Sequence, residues 1–187
     1  MAFVALGASA QTKTVGEVTW APQLSLGYVH GTNMDDYDGW IASSIGISGK
    51  YQVSESFGLK FGAAYWYGES REVKYESDGV TAKMEASYLE IPLLASFDLS
   101  KKWGIQLGLK PAIETSFKLH AEGGKTTMEQ DADNTSKFQL YVPVGLTYQF
   151  NSPLSLGFHY SLPLTKINKG EGSNKLNQFM FTLGWDL

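Results

Sequence analysis

The sequence predicts an all-β fold, an eight-stranded antiparallel up-and-down transmembrane β-barrel. Three observations support this prediction. Apolar residues alternate with polar or small residues along most of the chain, which is the period-two pattern of β-strands. The alternating segments number eight, and the connections between them are short and long in turn. No run of about 18 apolar residues is present, so a membrane-spanning form of this chain must be a closed barrel.

The clearest alternation lies in the hairpin from Tyr88 to Ile113. On both arms, every second residue is bulky and apolar. The residues between them include Gly104, Gly108 and Ala112, whose small size suits a crowded interior. In a soluble barrel the apolar side chains would face inward, and the outward-facing positions would carry long charged side chains instead of these small ones. We therefore expect the bulky parity to face lipid. The alternative, a soluble sandwich or lipocalin-like barrel, would expose most of that parity to water.

The first three strands follow this rule at residues 19–30, 41–51 and 57–67. Trp40 has the wrong parity for the lipid face, so we expect it at an interfacial bulge or just above the second strand. Residues 68–86 remain strand-like but become charged, which predicts a β-hairpin that rises above the membrane.

The remaining five strands show the same alternation. They are predicted at residues 88–97, 103–120, 138–150, 154–164 and 178–187. Prolines inside the predicted strands remove backbone donors from a sheet without free edges, and we expect bulges or local water to compensate. These prolines are Pro22, Pro92, Pro111, Pro143 and Pro163.

The connections and the aromatic residues give the barrel an orientation. Short connections near 52–56, 98–102 and 151–153 alternate with long ones, as in barrels with short periplasmic turns and longer outer loops. Aromatic residues are predicted to form girdles at both membrane interfaces. The girdle residues are Trp20, Tyr51, Phe57, Phe97, Trp103, Phe150 and Trp185 at the short-turn end, and Tyr28, Tyr65, Tyr67, Phe117, Phe138 and Tyr160 at the other end.

The length and composition of the chain limit its domain count, its possible partners and its possible chemistry. A chain of 187 residues has room for one domain. Its net charge of -4 and the lack of a basic run exclude nucleic acid as a predicted partner. The absence of cysteine removes disulfides, thiol catalysis and zinc-thiolate sites, and it suits an exported protein. Residues 1–10 are predicted to be a residual signal peptide before a barrel domain at 11–187, with an ordinary disordered N-terminus as the alternative.

The segment YLEIPLL at residues 88–94, the glycine-rich strand after it and the aromatic alternation of the last strand carry a resemblance. In these features the chain resembles the PorT-like outer-membrane β-barrel family of Bacteroidota. The resemblance implies a bacterial outer-membrane location and an OmpX-like or OmpA-like eight-stranded shape, but no activity. The terminal Leu187 departs from the terminal Phe that many such barrels prefer.

The predicted transmembrane β-barrel is porin-like in its architecture. However, the interior of an eight-stranded barrel is just wide enough for side chains to fill it, so we expect no diffusion pore. Inward charges are predicted to form a structural ion network in the lumen. The network residues are Glu90, Lys110, Lys60, Lys50, Glu114 and Lys118. If Phe97 pairs with Trp103, Glu90 lies opposite Lys110 and the two form an ion pair. A gated path or a ligand site is the alternative role.

The sequence offers no catalytic, cofactor or metal site. Its histidines, His30, His120 and His159, lack the spacing of a nucleophilic triad, so we expect no enzyme. Acidic clusters at 35–38 and 131–133 do not match an EF-hand loop, and solvated loop carboxylates are the preferred interpretation.

Two functions remain open from the sequence. The first is a structural or accessory envelope component, whose partners are the outer-membrane bilayer and other envelope proteins. The second is a surface-exposed binding or adhesion protein that contacts an extracellular ligand with the 68–86 hairpin and the 121–137 loop.

Overall fold

The computed structural model describes residues 14–32, 39–70, 73–75, 80–123, 126–131, 136–167 and 175–187. The predicted signal-peptide remnant at residues 1–10 lies outside these ranges. Within them, no helix is long and apolar enough to cross a membrane.

The regular structure of the described residues is β-sheet. The strands are β1 (Val18–Thr32), β2 (Trp40–Ser54), β3 (Phe57–Ser70), β4 (Val73–Tyr75), β5 (Val80–Glu90), β6 (Leu93–Asp98), β7 (Trp103–Gly123), β8 (Thr126–Asp131), β9 (Phe138–Gln149), β10 (Leu154–Pro163) and β11 (Lys175–Trp185).

These strands form a closed antiparallel barrel. β1 pairs with β2 on one side and with β11 on the other, and the pairing continues through every neighbour around the ring. β5 and β6 pair with the same two neighbours and together make one barrel strand, interrupted at Ile91 and Pro92. β4 and β8 pair with β5 and β7 beyond the long-loop end. The barrel therefore has eight strands, and the predicted fold class is confirmed.

The barrel is apolar outside and mostly polar at the inner positions of its short-turn half. Ile41, Ile45 and Leu26 are 74%, 65% and 61% exposed. On the opposite parity Ser25 Oγ and Thr182 Oγ1 are buried and lie 2.9 Å apart, so one hydroxyl donates to the other. An exterior of large apolar side chains suits contact with lipid chains rather than with water.

The strand prolines are accommodated mainly at the ends of ladders. The β1–β11 pairing begins just after Pro22, Pro92 lies in the break between β5 and β6, and Pro163 is the last residue of β10. Pro143 faces a gap in the β7–β9 pairing. Pro111 is opposite Leu140. The predicted bulges are therefore not found at these prolines.

Leu140, the residue opposite Pro111, obtains its backbone hydrogen bonds elsewhere. Its carbonyl accepts from Leu164 N at 2.7 Å, and its amide donates to Thr165 Oγ1 at 2.9 Å. The donor that Pro111 lacks therefore leaves no unpaired acceptor on its neighbour.

The described strands contain two bulges, at Val53 and at Thr115. Tyr88 pairs with Glu114 and Ser87 with Ser116, so Thr115 is an extra residue in β7. A one-residue insertion moves every later side chain to the opposite face.

Two predicted positions are wrong because of the Thr115 bulge. Phe117, expected in the outer girdle, faces inward and is buried. Lys118, expected in the lumen, is opposite Glu85, whose strand neighbour Ala86 is buried inside. Because adjacent strand residues point to opposite faces, Lys118 lies on the outer surface.

The outward face is tested by a matched pair of arginine substitutions on β1. Leu24 is 52% exposed to the surroundings of the barrel, whereas its neighbour Gln23 lines a luminal cavity. We expect Leu24→Arg to lower the free energy of unfolding in lipid by about 2 to 4 kcal/mol, because a charge at the bilayer midplane is poorly solvated.

Gln23→Arg is the control, and it should cost clearly less because the cavity admits the longer side chain. Denaturant titration of both variants refolded into vesicles measures the difference. Equal losses would contradict the assignment of the two faces.

Candidate functional site

The candidate site is the interior of the barrel, which has three layers. A cavity that we term the vestibule opens at the short-turn end. A polar layer follows, formed by Glu90, Lys110, Gln178, Gln106 and His159. A layer that we term the aromatic plug fills the half towards the long loops.

The aromatic plug is a continuous cluster of buried side chains. Its members are Val29, Trp40, Ala42, Trp66, Ala86, Tyr88, Ala112, Phe117, Tyr141, Ile167, Leu176 and Met180. The rings of Trp66 and Tyr88 lie 5.5 Å apart between centroids, and those of Trp40 and Phe117 lie 6.3 Å apart. Trp40 and Trp66 have no exposed surface. The plug therefore excludes solvent from this half of the lumen.

The predicted position of Trp40, at an interfacial bulge or above the strand, is wrong. Trp40 is the first residue of β2 and pairs with Val29 and Ser70. Its indole points inward, where burial of a large aromatic side chain stabilises the fold. The luminal position is available because the adjacent inner residues of the same strand, Ala42 and Ser44, are small.

The polar layer is centred on the Lys110 ammonium. Lys110 Nζ donates to Glu90 Oε1 at 2.7 Å and to Gln178 Oε1 at 2.6 Å. The side chains of Lys110 and Glu90 are only 9% and 7% exposed. The ammonium also lies 5.1 Å from the centre of the Tyr141 ring. These contacts join β5, β7, β9 and β11 across the lumen.

The structure brings Glu90 and Lys110 together in a different register from the predicted one. Phe97 pairs with Ile105 rather than with Trp103, and Glu90 is opposite Ala112. The ion pair therefore runs diagonally between neighbouring inner positions. A lysine side chain is long enough to span that diagonal.

His159 and Gln106 complete the polar layer. His159 Nε2 and Gln106 Oε1 lie 2.9 Å apart, which fits an imidazole N–H that donates to the amide oxygen. The imidazole lies against Gly145 on the neighbouring strand, where an added Cβ would overlap the ring. Glycine at position 145 therefore leaves the space that the His159 ring occupies.

The vestibule is a cavity of about 830 Å³ between the polar layer and the short turns. Lys50 Nζ donates to both carboxylate oxygens of Asp98, at 2.9 and 3.0 Å, and Gln52 Nε2 donates to the same group at 3.1 Å. Lys50 reaches Asp98 over Gly58, where a Cβ would come 2.8 Å from Lys50 Cε. Lys60 also lines this cavity.

The predicted lumen network is thus divided. Glu90 and Lys110 meet in the polar layer, whereas Lys50 and Lys60 lie in the vestibule. Glu114 is opposite the inward Tyr88, and Lys118 is outside. Sequence reasoning missed the roles of Gln178 and Asp98, the partners of Lys110 and Lys50. Asp98 was assigned to a turn, and nothing local marks Gln178 as a ligand of a lysine 68 residues away.

The other predicted girdle residues are at least partly exposed on the outer surface. At the short-turn end Trp103 packs edge-on against Tyr148 at 4.8 Å, and Tyr148 against Phe150 at 5.0 Å. At the long-loop end Tyr160 stacks on Phe179 at 4.4 Å. Amphipathic rings in these positions suit the two interfaces of a bilayer.

A cluster of charged side chains on β3 and β5 lies on the outer surface of the barrel, next to the exposed apolar residues. Lys83 Nζ donates to Glu69 Oε1 at 3.0 Å and lies 3.1 Å from Glu85 Oε1. The hydrogen bond to Glu69, together with the one to Glu85, raises the pKa of the Lys83 ammonium above its ordinary value. The Lys83 ammonium therefore stays charged throughout the physiological pH range.

Comparisons with known proteins agree with this architecture. A family model described as an outer membrane protein beta-barrel domain matches residues 9–169. Neisserial surface protein A has a similar structure, with a TM-score of 0.57 and 15% identity over 97% of this chain and 99% of that one. Ail, the attachment invasion locus protein of Yersinia pestis, gives a TM-score of 0.53 and 11% identity over 93% and 100%.

A second structure of Ail, in complex with the heparin analogue sucrose octasulfate, gives a TM-score of 0.53 and 10% identity over the same shares of the two chains. At such low identities these likenesses show the fold alone. No curated protein sequence matches the chain.

The polar layer is tested by a double-mutant cycle on its ion pair. We expect Glu90→Gln and Lys110→Met each to lower the free energy of unfolding by about 3 kcal/mol, because each leaves the opposite charge buried and unpaired. The double variant should recover a large part of the loss. Denaturant titration of the refolded protein in lipid gives all four values.

Lys83→Met is the matched control, since its ion pairs lie on the surface and should be worth less than about 1 kcal/mol. Strictly additive losses for Glu90 and Lys110 would rule out a direct interaction between them.

Proposed function

The chain belongs to the family of outer membrane protein β-barrel domains, and from this premise we propose that it is a structural or accessory component of the envelope with a closed lumen. The protein is located in the bacterial outer membrane, as the sequence predicted, and its outer surface contacts the lipid bilayer. Other envelope proteins are the proposed partners. The short turns of such barrels face the periplasm, so the vestibule opens on that side.

The observation that carries this proposal is the closure of the lumen by the aromatic plug and the polar layer. Trp66, Tyr88 and Tyr141 fill the cross-section on the outer side, and all three are at most 1% exposed. The ion pair of Lys110 and Glu90 spans the layer below. Dense side-chain packing in an eight-stranded barrel supports a scaffold rather than a pore.

An enzymatic role is not part of the proposal. His159 is enclosed in the wall of the lumen and is engaged by Gln106. Among the described residues no group of histidine, aspartate and glutamate could hold a metal ion. As the sequence predicts, we propose that the protein is not an enzyme and needs no cofactor.

We also propose that the chain belongs to the PorT-like group of barrels. The motif YLEIPLL supports this placement, because it spans the break at Ile91 and Pro92 that divides β5 from β6. A strand interruption of this kind is a specific structural role for the proline of the motif.

A surface-binding or adhesion role is the second candidate, and the strands that project beyond the barrel favour it. β5 and β7 remain paired as far as Val80 and Gly123, and β4 and β8 add a strand on each side. This four-stranded sheet could contact an extracellular ligand through an exposed edge.

Removal of the projecting hairpin distinguishes the two candidates. Ser70 and Met84 are adjacent, since Met84 N donates to Ser70 Oγ at 2.8 Å. A two-residue Asn-Gly turn in place of residues 71–83 should therefore leave the barrel folded. A scaffold should keep its envelope role after this deletion, whereas a surface-binding protein should lose attachment of its ligand or host surface.

Conductance in planar bilayers tests the closed lumen directly. We expect the wild-type protein to give no stepwise currents, because the aromatic plug excludes water from the outer half of the lumen. Trp66→Ala combined with Tyr141→Ala removes two of the three rings of this cross-section and should produce current steps.

Trp103→Ala combined with Tyr148→Ala is the matched control, because it removes two rings that stack on the outer surface. Currents from this control should equal those of the wild type. Steady channel activity in the wild type would overturn the proposal of a closed scaffold.

A further inference from the structure

We propose that the vestibule binds a small hydrophilic anion, whose anionic group lies between the ammonium groups of Lys50 and Lys60. This site lies on the periplasmic side of the polar layer. It goes beyond the proposed scaffold role, which depends only on closure of the lumen above it.

The vestibule has the size and position of a binding site. Its volume of about 830 Å³ falls within the roughly 300 to 1,000 Å³ of small-molecule sites in proteins. Residues of all three short turns, including Glu55, Ser100 and Asn151, line its mouth. A ligand in the periplasm can therefore enter without crossing the aromatic plug.

The walls of the vestibule offer many hydrogen-bonding groups. Side-chain amides and hydroxyls line it from Thr19, Gln23, Gln52, Thr147, Gln149 and Ser155. Groups that both donate and accept hydrogen bonds suit a hydroxylated ligand.

The charge of the vestibule differs from that of the whole chain. Four lysines line it, Lys50, Lys60, Lys101 and Lys102, against the three carboxylates of Glu55, Asp98 and Asp186. The lysines that line the vestibule thus outnumber its carboxylates by one, in a chain with a net charge of -4. Lys101 and Lys102 are exposed at the short turn, where positive charge attracts anions that approach from the periplasm.

Lys60 is the group that identifies an anion position. Lys60 and Lys50 are directly opposite each other in the β2–β3 pairing, an arrangement in which like charges repel. Lys50 is neutralised by Asp98 at 2.9 Å. Within the described part of the chain, no hydrogen bond or ion pair reaches the Lys60 ammonium, on which Asp186 acts only through its electrostatic field.

Lys60 is half-buried in the wall of the vestibule, and an anion beside its ammonium would supply the charged partner that the described residues do not. Phosphate is the anion best suited to this site, because it accepts several charge-assisted hydrogen bonds at once. Free inorganic phosphate and a phosphorylated sugar share this chemistry. The amides and hydroxyls of the walls would add contacts to the second of these.

Titration calorimetry on the folded full chain in phosphatidylcholine nanodiscs tests the proposal. The probes are inorganic phosphate, glucose 6-phosphate and glucose. We expect at least one phosphate-bearing probe to saturate and glucose not to do so. Lys60→Met should weaken binding by about tenfold or more, and Lys60→Arg should preserve it.

Asp186→Asn gives a readout of opposite sign. It removes the carboxylate that acts on Lys60 and should tighten anion binding, an effect that a merely structural role of these residues would not produce. Lys83→Met changes a lysine at the far end of the barrel and should leave binding unchanged. Lys60→Gln repeats the test of Lys60 if the methionine variant does not fold.

Equal binding of phosphate and glucose 6-phosphate supports recognition of the anionic group alone, and tighter binding of the sugar phosphate supports added contacts from the walls. The proposal is overturned if neither anion saturates, if glucose binds as tightly as they do, or if the folded Lys60 variants bind like the wild type.

Discussion

The closure of the sheet by β1 and β11 is the constraint on which the rest of the structure depends. Lipid offers no partner to a backbone N–H or C=O group, so an open edge in the bilayer would be costly. The two strands pair from Gln23 with Gly184 to Thr32 with Lys175. Leu187 N also donates to Trp20 O at 2.8 Å. Closure at eight strands then fixes the interior volume.

That fixed volume explains the division of the lumen. The inner positions of the outer half carry large rings, such as Trp40, Trp66 and Tyr141, and these fill it completely. The inner positions of the periplasmic half carry serine, glutamine, threonine and lysine, which leave a cavity. One barrel therefore combines a sealed outer half with a vestibule that is open to the periplasm.

The eight strands and their lipid-facing parity were predictable because period-two alternation is a local property of the sequence. The pair of Glu90 and Lys110 was also predictable, even with the register wrong by two residues, because lysine reaches diagonal positions. The faces of Phe117 and Lys118 were not, since the bulge at Thr115 is a backbone feature without an apolar signature. Trp40 was misplaced because the interior was expected to be crowded, whereas its small neighbours Ala42 and Ser44 leave room for the indole.

The lumen admits water only from the periplasmic end, as far as the polar layer. The chain has no cysteine, so single engineered thiols report accessibility without background. In the folded protein, a charged thiol reagent should modify Gln23→Cys in the vestibule but leave Ala112→Cys in the aromatic plug unmodified until the barrel is denatured. Modification of both at similar rates would show a continuous aqueous path and would contradict the account.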